Sequence, residues 1–152
     1  MSQFLILAID PGTTHSGWVT MSGGRVLQSG VMENGEMLCV CREAVSHSLA
    51  IEMIASYGMA VGAEVFGTCV WIGRFMQAYR APHEVKLIPR MAVKMHLCGT
   101  PRAKDANIRQ ALIDLYGGKA EAIGNAKKPG PLYGVKSHAW AALGVAITAA
   151  NT

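Results

Sequence analysis

From Leu5 to Val19 the chain reads Leu-Ile-Leu-Ala-Ile-Asp-Pro-Gly-Thr-Thr-His-Ser-Gly-Trp-Val. A short, continuous apolar run bounded by turn residues suits a strand buried in a sheet. Here the strand stops on a carboxylate, Asp10, a Pro-Gly turn follows, and a second strand begins. An ionised group at that place ligates a metal, faces a phosphate through one, or caps the turn. Asp before Pro-Gly is common in ordinary turns, so the rest of the chain has to decide.

After this strand, Ser16 to Ser22 reads as strand two, Gly23-Gly24 as a tight hairpin and Arg25 to Met32 as strand three, an antiparallel meander. Glu36 to Ser48 suits a helix or helix-loop, and Leu49 to Tyr57 a further buried strand with a single charge, Glu52. From Ala63 to Tyr79 the apolar positions Val65, Cys69, Ile72, Phe75, Met76 and Tyr79 recur at helical spacing. Val85 to Ile88 predicts a short strand, Pro89 to His96 a short helix, and Thr100-Pro101 the start of a helix that runs to Tyr116 and stops at Gly117-Gly118. Gly117 to Lys136 has little periodicity, with five glycines, two prolines and four lysines, and is expected to be a mobile loop that orders on a ligand. Ser137 offers an N-cap for a last helix in which Trp140, Leu143 and Ile147 share a face. Alternating strands and helices of this kind give an α/β fold, a mixed sheet with helices packed on it.

With 152 residues, of which 51% are hydrophobic, the expectation is one domain, residues 1–152, able to bury a core without disulfides or structural metal. The cysteines, Cys39, Cys41, Cys69 and Cys98, form no CxxC pair and have no His partner at zinc-finger spacing, which suits a reduced compartment. The first apolar stretch is interrupted at Asp10 and no run reaches membrane-spanning length, so a soluble, cytoplasmic protein is expected. The formal charge of +4 is unevenly distributed: residues 1–84 carry four basic against seven acidic groups, residues 85–152 ten basic against three acidic. Such segregation suits a polyanion-binding half, and equally a solvated face that maintains solubility.

Two carboxylates at the ends of neighbouring strands can share a hard divalent cation, Mg²⁺ where phosphate is a co-ligand. Asp10 and Glu52 have those positions if strands one and four pair. An isolated acid amid apolar neighbours, as Glu52 is, needs either a basic partner or a metal.

At these residues the chain resembles the RuvC-type Holliday-junction resolvases of the ribonuclease H-like superfamily, in the compact form found in phages and prophages. The resemblance rests on Ile9-Asp10-Pro11-Gly12 with Ser16-Gly17-Trp18, on Ile51-Glu52-Met53 leading into a Gly-rich helix start, on Pro89 to Lys94 with Gly99 to Leu112, and on His138 to Thr148. It implies a ribonuclease H-like fold with a central mixed five-stranded sheet flanked by helices. It further implies a metal-dependent endodeoxyribonuclease that nicks four-way DNA junctions with Mg²⁺ or Mn²⁺, and a homodimer with Trp71, Phe75 and Tyr79 in the core or at a two-fold interface. Asp10, Glu52 and His138 are the implied metal ligands and catalytic groups. In that mechanism Asp10 and Glu52 hold Mg²⁺ while His138 helps hold a second ion or orients water. Lys94, Arg102, Lys104 and Arg109, with Lys127, Lys128 and Lys136 in the loop, are the candidates for tracking DNA phosphates, contacts that position a backbone without reading bases.

The last helix departs from the pattern. The resembled family has an acid or His, two further residues and then an Asp ahead of an Ala-Leu-x-Val-Ala-Ile-Thr stretch; here those positions are His138 and Ala141. Alanine ligates nothing. Either another residue supplies the group, or the site works with fewer ligands, or position 141 has been altered. Asp105 is the substitute candidate, its plain alternative being a charge that complements the dipole at a helix start. Ala141 keeps open a catalytically disarmed junction-binding protein. Asp10-Pro11-Gly12-Thr13-Thr14 also looks like the first phosphate loop of the actin-like ATPase fold, which needs a second lobe for which this chain has no room.

Overall fold

The computed structural model describes residues 4–152. Its elements, in chain order, are β1 (Leu5–Asp10), β2 (His15–Ser22), β3 (Arg25–Glu33), α1 (Asn34–Glu43), β4 (His47–Met53), α2 (Ala63–Ala78), a 3₁₀ turn (Pro82–Glu84), β5 (Lys86–Pro89), α3 (Arg90–Cys98), α4 (Asp105–Leu115), α5 (Lys119–Ala122) and α6 (Ala139–Ala150). The strands form one mixed five-stranded sheet in the order β3-β2-β1-β4-β5. β1, β2 and β3 make the expected antiparallel meander, and β4 and β5 add parallel to the other edge of β1. Gly23 and Gly24 have φ values of 57° and 81°, the conformation that a two-residue hairpin in a right-twisted ribbon requires.

Side chains alternate across a strand, so β1 separates into Leu7 and Ile9 on one face and Ile6, Ala8 and Asp10 on the other. The first face is covered by α1 and α2, whose Met37, Cys41, Ile72 and Phe75 join Leu7, Ile9, Leu49 and Ile51 in one core. The second is covered by α6 with α3 and α4 behind it, and there Ala8 and Ala50 keep the sheet surface low beneath the helix. The register Ala8↔Ala50, Ile9↔Ile51 then sets Asp10 beside Glu52, on the α6 face.

Several boundaries differ from those the sequence suggests. The fourth strand was expected at Leu49 to Tyr57, but it begins at His47 and ends at Met53, where its last partner on β5, Pro89, ends too. The helix before it is correspondingly Asn34–Glu43 rather than 36–48. α4 begins at Asp105 and not at Thr100-Pro101, because the Asn107 side chain accepts the Lys104 backbone N–H and fixes the first turn there. Residues 117–136 are not devoid of structure: they hold α5 and a turn in which Asn125 Oδ1 accepts the N–H groups of Lys127 and Lys128. Gly130 N–H donates to Ile123, Leu132 N–H donates to Ala122, and Leu132 and Val135 are buried in the core. Ser137 does not cap α6; it has φ 52° and His138 occupies the cap position without a side-chain cap bond. α6 is also not amphipathic about Trp140, Leu143 and Ile147, since Ala139–Trp140 and Ala142–Ala149 are buried all round. It lies between the sheet and the α3/α4 layer, and Gly144 admits Val93 Cγ1 to 3.0 Å of where a Cβ would stand.

The turn after Asp10 is held by a buried network. Asn34 donates to the Gly12 carbonyl at 2.9 Å and accepts the Ser16 hydroxyl at 2.7 Å, while Ser16 Oγ accepts the Gly12 N–H at 3.3 Å. Asn34→Ala leaves the Gly12 carbonyl and the buried Ser16 hydroxyl short of a partner, and a loss of about 1–3 kcal/mol is expected in urea unfolding. An unchanged midpoint would show that the turn is held by its backbone alone. No helix among the described residues is long and apolar enough to cross a membrane.

Candidate active site

At the end of β1, Asp10 meets Glu52 of β4 from one side and His138 at the start of α6 from above. Glu52 is 9% exposed. Burial is the largest influence on its carboxyl, and with the hydrogen bond and negative charge of Asp10 it pushes the Glu52 pKa up to about 8, Arg90 opposing. Burial also raises Asp10, against the hydrogen bond from Glu52 and the charge of Arg90. Burial and mutual repulsion outweigh the Arg90 charge, so the pair retains a proton, with Glu52 donating to Asp10.

His138 Nδ1 lies 3.0 Å from Asp10 Oδ2. An ionised carboxylate only accepts, so Nδ1 carries the donated hydrogen and Nε2 is left free. This approach depends on Gly17, the β2 residue opposite Asp10. A Cβ at Gly17 would stand 2.4 Å from both the carbonyl carbon and oxygen of His138. Gly17→Ala should therefore lift the start of α6 away from Asp10, lowering stability by roughly 1–3 kcal/mol as overpacking does. Calorimetric unfolding reads it, and an unshifted Tm would mean that α6 relaxes freely.

The residue that sequence reasoning missed is Arg90, the first of α3. Its Nη1 lies 3.4 Å from Glu52 Oε1, and its Nη2 is paired with Asp105 Oδ1. One guanidinium thus bridges carboxylates from β4 and α4. It falls in the Pro89 to Lys94 segment that supports the resemblance, but nothing in that segment gives it a role. The parallel register Glu52↔Ile88 makes residue 90 a neighbour of Glu52, and that register is a tertiary fact. Glu52, Arg90, Asp105, Ser137, His138 and Ala141 all line a pocket of about 290 Å³.

Of the expected site residues the structure brings together Asp10, Glu52 and His138, and joins Asp105 to them through Arg90. The candidate phosphate-tracking groups are not in the pocket wall. Lys94 is half-buried on α3, Arg102 and Lys104 are exposed ahead of α4, Lys127 and Lys128 are exposed on the turn after α5, and Lys136 is exposed two residues before His138. The Arg109 guanidinium lies 4.8 Å over the ring of Trp140, which does line the pocket.

Among the described residues no three His, Cys, Asp or Glu side chains form a preformed metal cage. Mg²⁺ commonly needs only one or two carboxylates, completing its shell with water and phosphate. Asp10 and Glu52, whose burial and mutual repulsion favour a shared proton, suit one such ion. Ala141 offers no donor for another, and Asp105 is engaged by Arg90.

A mixed β3-β2-β1-β4-β5 sheet with acids at the ends of its first and fourth strands and a helix closing over them defines a ribonuclease H-like fold. Two solved structures, RuvC from Thermus thermophilus alone and the same protein in complex with a Holliday junction substrate, each align over 97% of this chain and 93% of theirs with a TM-score of 0.67 and 21% identity. The chain therefore has the fold of the RuvC Holliday-junction resolvases. No protein-family profile and no curated protein matches the sequence.

Proposed function

We propose that this protein is a structure-selective endodeoxyribonuclease that nicks branched DNA, with the four-way junction as substrate. The observation that carries the reading is the side-by-side placement of Asp10 and Glu52 at the ends of parallel strands, under His138, on a RuvC fold. Asp10 and Glu52 would hold Mg²⁺ or Mn²⁺, and the bound ion supplies activation of water and stabilisation of charge on the phosphate. The protein's own part is to keep the two carboxylates adjacent, to orient Asp10 through His138, and to orient Glu52 through Arg90. The exposed basic groups Arg102, Lys104, Lys127, Lys128 and Lys136 would bind the DNA backbone by releasing its counterions. α2 exposes Phe66 and Val70, each at 62%, next to the half-buried Trp71, which supports a two-fold partner matching the near two-fold symmetry of a junction.

One observation favours a second reading. Ala141 contributes no ligand to the pocket wall, as it would in a junction-binding protein derived from a nuclease and no longer cutting. Incubating the chain and an Ala141→Asp variant with a labelled four-way junction in Mg²⁺ and in Mn²⁺, with products read on a denaturing gel, separates the readings. Paired symmetric nicks from the native chain are expected. Cutting by the Asp variant alone would mean a disarmed site, and binding without cutting by either would establish the junction-binding role.

A further inference from the structure

Arg90 is an unusual group to find at such a place. A guanidinium is permanently cationic and carries five N–H donors in a fixed fork. This one reaches from the start of α3 to Glu52 on one side and to Asp105 on the other, so both carboxylates that line the pocket are already bridged by one positive charge. In the wall of the same pocket, Ala141 presents only a methyl group. The pocket beside Glu52 therefore has an alanine where the resembled pattern has a carboxylate, and a guanidinium besides. A second divalent ion would meet two defects there, a missing ligand and a like charge at close range.

We propose that the Arg90 guanidinium, anchored by Glu52 and Asp105, takes the place of a second metal ion, so that this protein binds a single divalent ion at Asp10 and Glu52. The inference rests on the metal-dependent reading above and deepens it. Asp105 is then the anchor of an arginine, a third role beside the ligand and helix-dipole roles considered from sequence. The N–H groups of Arg90 that neither carboxylate uses are available to a DNA phosphate oxygen, which a guanidinium recognises by charge-assisted hydrogen bonds. Arg90 is 42% exposed, enough to make that contact from the pocket.

The test counts ions without DNA. The full chain and an Arg90→Gln/Ala141→Asp double variant are titrated with Mn²⁺ by calorimetry, and their electron paramagnetic resonance spectra are recorded at saturation. The native chain should take up one Mn²⁺ per chain and give the six-line spectrum of an isolated ion. The double variant, with the guanidinium removed and a carboxylate restored, should take up two and show the exchange-coupled spectrum of ions about 4 Å apart. Two ions or a coupled spectrum in the native chain would overturn the proposal, whatever the variant does. A folded double variant that still binds one ion would also overturn it; should that variant not fold, Arg90→Gln and Ala141→Asp singly should each still bind one ion, since each keeps one of the two defects, and a second ion in Ala141→Asp with Arg90 intact would overturn the proposal. Failure of the native chain to cut a junction would refute the nuclease reading and leave the ion count unaffected.

Discussion

Asp10→Asn should lower the rate of junction cleavage by about three orders of magnitude or more, the scale of losing several kcal/mol of charge stabilisation at the reacting phosphate. The substitution keeps the shape of the side chain, and the amide oxygen still accepts the His138 Nδ1–H that now reaches Asp10 Oδ2 at 3.0 Å. What it removes is one of the two charges that would draw a divalent ion to the end of β1. Junction affinity should stay within about threefold, because binding of this kind resides in basic groups that neutralise phosphates, and those lie outside the pocket wall. Single-turnover cleavage in Mg²⁺ and mobility-shift titration in Ca²⁺ measure the two separately. Cleavage within tenfold of the native rate would remove Asp10 from the mechanism, and a parallel loss of binding would show that Asp10 holds the DNA surface in shape.

The second large effect is a fall in stability as pH rises in the absence of divalent ions. Glu52 keeps its proton to about pH 8 in the folded chain, while the unfolded chain releases it near the ordinary value of 4.5. Between those values the folded state binds more protons than the unfolded, so the free energy of unfolding declines with pH. The stabilising contribution is thus fully present below about 4.5 and lost as pH passes through about 8. The raised carboxyl of Asp10 acts in the same direction. A loss on the order of a few kcal/mol across this window is expected, read as a decline in the urea midpoint between acid and mildly alkaline buffers. Glu52→Gln should flatten the profile, and saturating Mg²⁺ should restore stability on the alkaline side by binding the ionised pair. A native profile that is flat, or that rises with pH, would contradict the burial and mutual repulsion assigned to this pair.

The two effects are coupled in a way that can itself be checked. Asp10→Asn removes the negative neighbour that helps to hold the proton on Glu52, so the same variant that is expected to stop cleavage should also shallow the pH profile. The remaining slope reports the burial of Glu52, which is the larger cause.

The amino-acid sequence by itself determined what depends on neighbours along the chain. The apolar run ending in Asp10 specified a buried strand with its last side chain at the strand's end, Gly23-Gly24 specified the hairpin, and the helical spacing from Val65 to Tyr79 specified α2. The period of two then put Asp10 on the face opposite Leu7 and Ile9 once any pairing existed. Glu52 stood out because a single acid in an apolar strand needs a partner. The tertiary structure alone decided which partner. Parallel pairing of β4 with β5 carries Arg90 to Glu52 across a separation of 38 residues, and the crossing of α6 over β2 carries His138 to Asp10 across 128. Gly17 matters only because α6 lies on it, Asn34 only because it closes the turn at Gly12, and α6 is buried all round only because a second helical layer covers its outer side. Strand and turn preferences act over a few bonds and leave a trace in the local sequence. Register and close approach are set by the packing of both faces of the sheet at once, and no short stretch of residues records them.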